Sequence, residues 1–320
     1  MDKVSCGGKH LTWAIVLCHN MCMVSILKTH NLSKKYRDVF ACDNVNVTIN
    51  QGDIYGFVGL NGSGKTTFIR MITKLIYPTS GSFELFGGDP NFGRISSMVE
   101  TPSIYLNLNA VDNIKAQCKI ANVPIKDNPQ RLLKLVGLEG VSSKKASKDF
   151  SLGMRQRLGI AMALVVEPKF MLLDEPTNGL DPEGIIEIRE LLKHFNQEMG
   201  ITILISSHIL TELSKLATRY GFIHKGRLLQ EVTSQEVHDS CVTNIFVECA
   251  DPEKLLTKIP KGLPSQINTT PNGGKFVQIK GQESTLPQIL QIANDNKILV
   301  TNIQKTEQGL EDYFINLIKE

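Results

Sequence analysis

The chain has 320 residues, of which 42% are hydrophobic and 21% charged, the make-up of an ordinary globular protein of one large domain or a large and a small one. A net charge of +3 is far short of the basic face of a dedicated nucleic-acid binder, so no nucleic-acid partner is expected. Seven cysteines, an odd number without regular spacing and without a CxxC pair, exclude a disulfide framework and suit a reduced cytosolic setting.

The chain opens with its most apolar stretch, LTWAIVLCHNMCMVSIL at 11–27. It is shorter than the roughly 20 residues of a spanning helix and holds His19 and Asn20. Residues 1–23 therefore read as an upstream extension, or a start codon placed too early, rather than as a membrane anchor. Cys18, His19 and Cys22 lie close together there, but no second ligand pair follows, so free thiols are expected.

From residue 24 the pattern is regular. A strand is expected near Ser25 to Leu32, a turn at KKYRDV and a second strand at NVNVTI (44–49). The apolar strand IYGFV (54–58) then leads into GLNGSGKTT (59–67) and a helix over TTFIRMITKLI (66–76). Strands follow at 81–87 and 94–100, and residues 111–165 read mostly as helices broken at Pro124 and Pro129. KFMLLDEP (169–176) and TILISS (202–207) are continuous apolar runs, as in buried parallel strands, with a helix over 183–199 between them. Beyond GFIHKGRLLQE (221–231), short strands and helices alternate, which implies a small α+β unit over 243–320 without a chemical motif.

Gly59, Gly64, Lys65 and Thr66 satisfy GxxxxGK[ST], between a strand and a helix as that motif requires. Such a loop curls its N–H groups into a nest at a positive helix end, where successive phosphates fit. Lys65 brings a charge to the β and γ phosphates and the Thr66 hydroxyl a magnesium ligand. Asn61, Gly62, Ser63 and Thr67 complete the loop, and side chains at Gly62 and Gly64 would collide with a triphosphate. The expected ligand is a nucleoside triphosphate with Mg2+, which the family resemblance below narrows to ATP.

FMLLDEPTNGLDP (170–182) ends its apolar run in Asp174 and Glu175. Adjacent strand residues point to opposite sides, so the two acids can take different tasks: Asp174 in the magnesium shell, Glu175 as general base on the attacking water. Taken alone, the pair reads equally well as a helix cap or a solvated loop.

A third motif, SLGMRQR at 151–157, taken by itself is a helix start with a serine cap. Together with LLDEPTNGLDP and the histidine of ISSHIL, in that order, it makes residues 25–230 resemble the nucleotide-binding subunits of ABC transporters. The implied fold is an α/β P-loop NTPase of the ABC type over 24–231, with a helical subdomain at about 100–165. The resemblance implies a head-to-tail dimer in which Ser151 and Gly153 touch the γ phosphate bound by the other copy. Asp181 matches the loop that contacts the opposite subunit, and His208 the histidine that senses the γ phosphate. Met154 departs from the family's usual glycine. Tyr36 matches the aromatic that stacks on adenine, although an exposed tyrosine in a turn remains an alternative.

Glu100, in MVETPSIY, stands where most members carry glutamine. With ETPS and SLGMRQRLGIAMAL it resembles the branch of bacitracin and lantibiotic export or self-protection subunits. A carboxylate there can bind magnesium or orient water but cannot donate as an amide does. The resemblance thus implies a catalytic set of Lys65, Glu175, His208 and Glu100 and a metal set of Thr66, Asp174 and Glu100. It further implies an ATPase on the cytoplasmic face of the membrane, powering a separate permease for a peptide antibiotic. An exporter of another drug or lipid-like substrate, or a soluble ATPase of DNA repair or translation, is the alternative. The 85 residues between Lys65 and Ser151 (66–150), too few for a repair-type coiled coil, and the single cassette favour transport.

Overall fold

The computed structural model describes residues 25–319 except 90, 126–127, 241–242, 270–273, 282–284 and 308. The Cys18, His19 and Cys22 group and the 1–23 extension lie outside the described residues. Among the described residues no helix is long and apolar enough to cross a membrane.

Two sheets form the larger body. β1 (Ser25–Tyr36), β2 (Val39–Val45), β3 (Thr48–Asn50) and β5 (Ser80–Leu85) make an antiparallel sheet in which β1 pairs with the other three. The second sheet runs β10-β9-β4-β8-β7-β6, with β4 (Ile54–Val58), β6 (Ile95–Met98), β7 (Phe170–Asp174), β8 (Thr202–Ser207), β9 (Arg219–His224) and β10 (Arg227–Thr233). Its pairs are parallel except β9 with β10.

The apolar runs of β4, β7 and β8 are buried throughout because both faces of this sheet are covered. Tyr55, Phe57, Phe170, Leu172 and Leu204 point to the antiparallel sheet and the helix α1 (Lys65–Ile72). Ile54, Val58, Met171, Leu173, Ile203 and Ile205 point to the opposite face. There they meet α2 (Ala110–Ile120), α3 (Asn128–Leu135), α4 (Leu152–Ala163), α5 (Pro182–Gln197) and α6 (Leu210–Leu213).

Three elements depart from the expected pattern. NVNVTI is divided between β2 and β3, because the Thr29 hydroxyl donates to the Val45 carbonyl (2.9 Å) and accepts from the Val47 N–H (2.7 Å). Those two bonds replace ladder bonds where the chain crosses β1. α1 stops at Ile72 rather than Ile76, and Lys74 takes a left-handed φ of 59°. Tyr36 is the last residue of β1, so the turn narrows to Arg37 and Asp38.

After α7 (Ser234–Ser240) comes a third sheet of order β12-β13-β11-β14: β11 (Thr243–Cys249), β12 (Ser265–Thr269), β13 (Lys275–Gly281) and β14 (Val300–Glu307). With α8 (Pro252–Lys258) and α9 (Thr285–Asp295), the chain order β-α-β-β-α-β and the antiparallel pairing give a split βαβ unit. Ile245, Val247, Val277 and Ile279 close its own core with Leu255 and Ile289 from the two helices.

The last helix, α10 (Leu310–Lys319), leaves that core and packs on the cassette beside α6. Its apolar stripe meets an aromatic partner there: Phe314 and Tyr313 lie 5.6 and 5.5 Å from Phe222, and the Tyr313 hydroxyl donates to Gln230 Oε1 at 3.0 Å. Phe314→Ala should lower unfolding free energy by about 3–5 kcal/mol, read as a reduced midpoint in urea, because Phe314 is 3% exposed and its cavity cannot collapse against a rigid ring stack.

Candidate functional site

β4 ends at Val58, and Gly59–Gly64 turns the chain into α1. Gly64 is the N-cap residue, with φ of 112°, and offers no side chain to the first turn. The leading N–H groups of α1 therefore remain for a ligand, at the positive end of the helix. Glycine is required at 64 by the chain itself, since a Cβ would collide with the Ala41 carbonyl oxygen. Gly59 is hemmed in likewise by Ser63 Oγ and, at 2.6 Å, Ile223 O. Gly62 has φ of 78° and open space around it, so its requirement is one of backbone conformation. The loop's shape thus depends on β2 and β9 as well as on clearance for phosphates.

Lys65 is 5% exposed and its ammonium donates to the carbonyls of Gly59 (2.7 Å) and Leu60 (3.3 Å). Its Nζ also stands 3.4 Å from Glu175 Oε1. The other oxygen, Oε2, is 2.5 Å from His208 Nδ1. One carboxylate therefore links the phosphate loop, the end of β7 and the segment after β8. Three motifs separated by up to 143 positions (65 to 208) meet here.

Asp174 and Glu175 are separated by a backbone turn rather than by strand alternation. Asp174 ends β7, 1% exposed, and Glu175 leaves the strand with a left-handed φ of 51°. The Ser206 hydroxyl, on β8, lies between them: it donates to Asp174 Oδ1 at 2.5 Å and accepts from the Glu175 N–H at 3.1 Å. Ser206 belongs to no motif. A small polar residue inside the apolar run TILISS, beside the strand that carries both acids, is the signal that points to it.

Thr66 is half-buried, and its hydroxyl makes no hydrogen bond to a described residue. Asp174 Oδ2 likewise receives none. Among the described residues no three His, Cys, Asp or Glu side chains converge. This donor set fits magnesium, which takes one or two protein oxygens and fills its shell with water and substrate phosphate. Glu100 is engaged elsewhere: at φ of 61° and 59% exposed, its carboxylate accepts from Arg70 Nη2 at 2.6 Å, on α1. This ion pair ties the segment after β6 to the phosphate-loop helix, whereas Thr66 and Asp174, expected with Glu100 around the metal, are not bonded to it.

Tyr36 is 47% exposed at the tip of the β1–β2 hairpin, with Lys34 Nζ 5.3 Å from its ring centre. This hairpin borders the phosphate loop through Ala41 and through Cys42, whose thiol donates to the Gly64 carbonyl at 3.5 Å. Burial pushes the Cys42 thiol up to about 12, so it stays a neutral donor there. Phe40, absent from any motif, adds a second exposed ring at the same tip, beneath Lys35 Nζ at 5.2 Å.

Ser151 caps α4, its hydroxyl accepting from the Met154 N–H at 3.2 Å. The Met154 side chain packs inward against the core, which accounts for a methionine in place of glycine there. Asp181 caps α5 by accepting from the Gly184 N–H at 3.1 Å. The start of α4 and the loop before Asp181 are neighbours: a Cβ at Gly153 would lie 3.8 Å from Leu180 and one at Gly179 3.1 Å from Leu152. Among the described residues no hydrogen bond or ion pair joins Ser151 or Gly153 to the Lys65, Glu175 and His208 group.

Comparison with known proteins gives the family. The family model described as ABC transporter matches residues 42–178. The bacitracin transport ATP-binding protein BcrA of Bacillus licheniformis is 40% identical over 306 residues, covering 92% of this chain and 98% of that protein. The lantibiotic transport ATP-binding protein SrtF of Streptococcus pyogenes is 44% identical over 209 residues, covering 64% and 90%. Among solved structures, cbiO1 from Clostridium perfringens, part of the ABC transporter complex cbiONQ, is 27% identical with a TM-score of 0.61, covering 68% of this chain and 91% of that one. The dimeric, post-hydrolysis ATP-binding cassette MJ0796 bound to ADP and Pi is 25% identical with a TM-score of 0.58, covering 65% and 98%. A phosphate loop, an acid pair and a histidine joined through one glutamate, and relatives matched over nearly their whole length, place the chain in the ABC transporter family, as an ATP-binding ATPase subunit.

Proposed function

We propose that Glu175 is the general base of this ATPase and that two copies, paired head to tail, drive a separate membrane permease that moves a peptide antibiotic. The observation that carries the base assignment is the Glu175 carboxylate held between Lys65 Nζ at 3.4 Å and His208 Nδ1 at 2.5 Å. Phosphoryl transfer to water needs an oriented base and charge stabilisation more than covalent chemistry. Lys65 and His208 both sit on a single carboxylate.

In this mechanism Glu175 takes a proton from the attacking water, and His208 Nδ1 keeps Oε2 oriented. Lys65, released from the Gly59 and Leu60 carbonyls, meets the β and γ phosphates, with the N–H groups of the loop around them. The Thr66 hydroxyl and Asp174 would hold Mg2+, which would supply charge neutralisation to the transferring group. Tyr36 stacks on the base.

Ser151 and Gly153 complete the site of the partner copy. Two observations support this. Among the described residues they make no bond to the site of their own chain and none requires glycine at 153, where a Cβ would find only ordinary contact at 3.8 Å. Gly153→Ala should therefore leave thermal stability unchanged or slightly raised, as expected for alanine in a helix. It should also abolish ATP-dependent dimerisation in size-exclusion chromatography. Loss of stability together with an intact dimer would count against the contact in trans.

The permease is placed against the helical region. β6 is an edge strand, and a cleft of about 280 Å³ beside it is lined by Ser96, Met98, Pro102, Gln117 and Met162. Ser96 Oγ is buried without a partner among the described residues. Docking there fixes the subunit on the cytoplasmic face of the membrane. For the cargo, the support is the 40% identity to a bacitracin transport protein over 92% of the chain. Deleting the gene from its host should lower the minimal inhibitory concentration of bacitracin or a lantibiotic several-fold; unchanged values for both would remove the cargo assignment.

A further inference from the structure

Ser206 is fully buried on β8, directly opposite Asp174 on β7 and flanked on the other side by Phe57 of β4. A hydroxyl has one proton to donate and lone pairs to accept with. Here the proton goes to Asp174 Oδ1 at 2.5 Å, and a lone pair takes the Glu175 N–H at 3.1 Å. The same Glu175 N–H also points to the Ser206 carbonyl at 3.2 Å. Consecutive residues, one proposed for the metal and one as base, are thus fastened to a single side chain on the neighbouring strand.

Two features of the acid pair make that fastening matter. Asp174 Oδ1 is occupied by the hydroxyl, which leaves Oδ2 as the oxygen free of any described donor. Glu175 holds a left-handed φ of 51°, a conformation that a glutamate rarely adopts and that needs support from its surroundings. In that conformation its carboxylate lies between Lys65 and His208.

We propose that Ser206 is a positioning residue for ATP hydrolysis: its hydroxyl sets which Asp174 oxygen faces the cation and holds the Glu175 backbone in the conformation that aims the base. Fully buried, it acts through the two acids rather than on the substrate. The inference rests on the assignment of Glu175 as base and Asp174 as magnesium ligand. It adds a device that lies outside the phosphate-loop and acid-pair motifs.

The test uses the full chain, with Ser206→Ala, the volume-matched Ser206→Cys and Glu175→Gln measured together. For Ser206→Ala, kcat for ATP should fall about tenfold and the magnesium concentration for half-maximal rate should rise several-fold. Binding of a fluorescent ATP analogue without magnesium should stay within about twofold of the parent. Ser206→Cys, a weak donor of similar size, should recover part of both losses and serves if the alanine variant does not fold. A general packing role would lower melting temperature and nucleotide affinity together and leave the magnesium requirement alone; that pattern overturns the proposal. So does parental kcat and magnesium dependence in both Ser206 variants while Glu175→Gln is inactive. Turnover retained in Glu175→Gln would instead sink the base assignment, whatever Ser206 does.

Discussion

Replacing Glu175 by Gln should lower kcat for ATP by at least about a hundredfold, the low end of what a positioned general base contributes. The amide keeps the shape of the side chain, so the loop around Lys65 should persist and ATP should still bind. It cannot take a proton from water, and its NH2 group faces either Lys65 or His208 as a second donor where both expect an acceptor. With binding intact and chemistry blocked, the two-copy state should accumulate on addition of ATP and magnesium. Phosphate release and size-exclusion chromatography on the same sample read both effects. A variant that hydrolyses ATP at the parental rate would show that the water is activated by another group.

Lys65→Ala should act at the earlier step. Lys65 is the cation nearest the loop's N–H nest, and a hydrogen bond to a charged group is worth about 1.5–3 kcal/mol. Its loss should weaken binding of a fluorescent ATP analogue roughly tenfold to a hundredfold. The side chain also offsets the Glu175 charge, with 5% and 19% of the two side chains exposed. Removing it leaves that carboxylate with His208 alone, so kcat at saturating ATP should fall as well. An unchanged dissociation constant for the analogue would mean that the N–H nest binds the phosphates unaided. Lys65→Arg should recover little, because the planar guanidinium cannot fold back onto the Gly59 and Leu60 carbonyls as an ammonium does.

Local signals made several features legible. The apolar runs at 54–58, 170–174 and 202–207 declare buried strands because both faces of a parallel sheet are covered, so no polar alternation survives. Gly64 and Lys65 declare the loop because its backbone conformation and charge are needed at fixed spacing. Ser151 and Asp181 announce helix starts by their own chemistry, and both cap the helices that follow them. The break inside NVNVTI was hidden, since it depends on Thr29, a residue 18 positions away from Val47. The partner of Glu100 was hidden for the same reason: Arg70 lies 30 positions upstream. No residue near Phe314 in sequence indicates that the last helix returns to Phe222.

Sequence by itself singled out the residues proposed for this ATPase, because triphosphate chemistry demands a glycine-rich turn, a cation and a pair of acids at short, fixed spacings along the chain. Only the tertiary structure decided how they are coupled. Register between β4, β8 and β7 brings Lys65 and His208 to the Glu175 carboxylate, and places a serine of no motif between Asp174 and Glu175. Hydrogen bonds and ion pairs act over about 3 Å of space. Neighbourhoods of that size are set by strand order, which no local pattern of residues encodes.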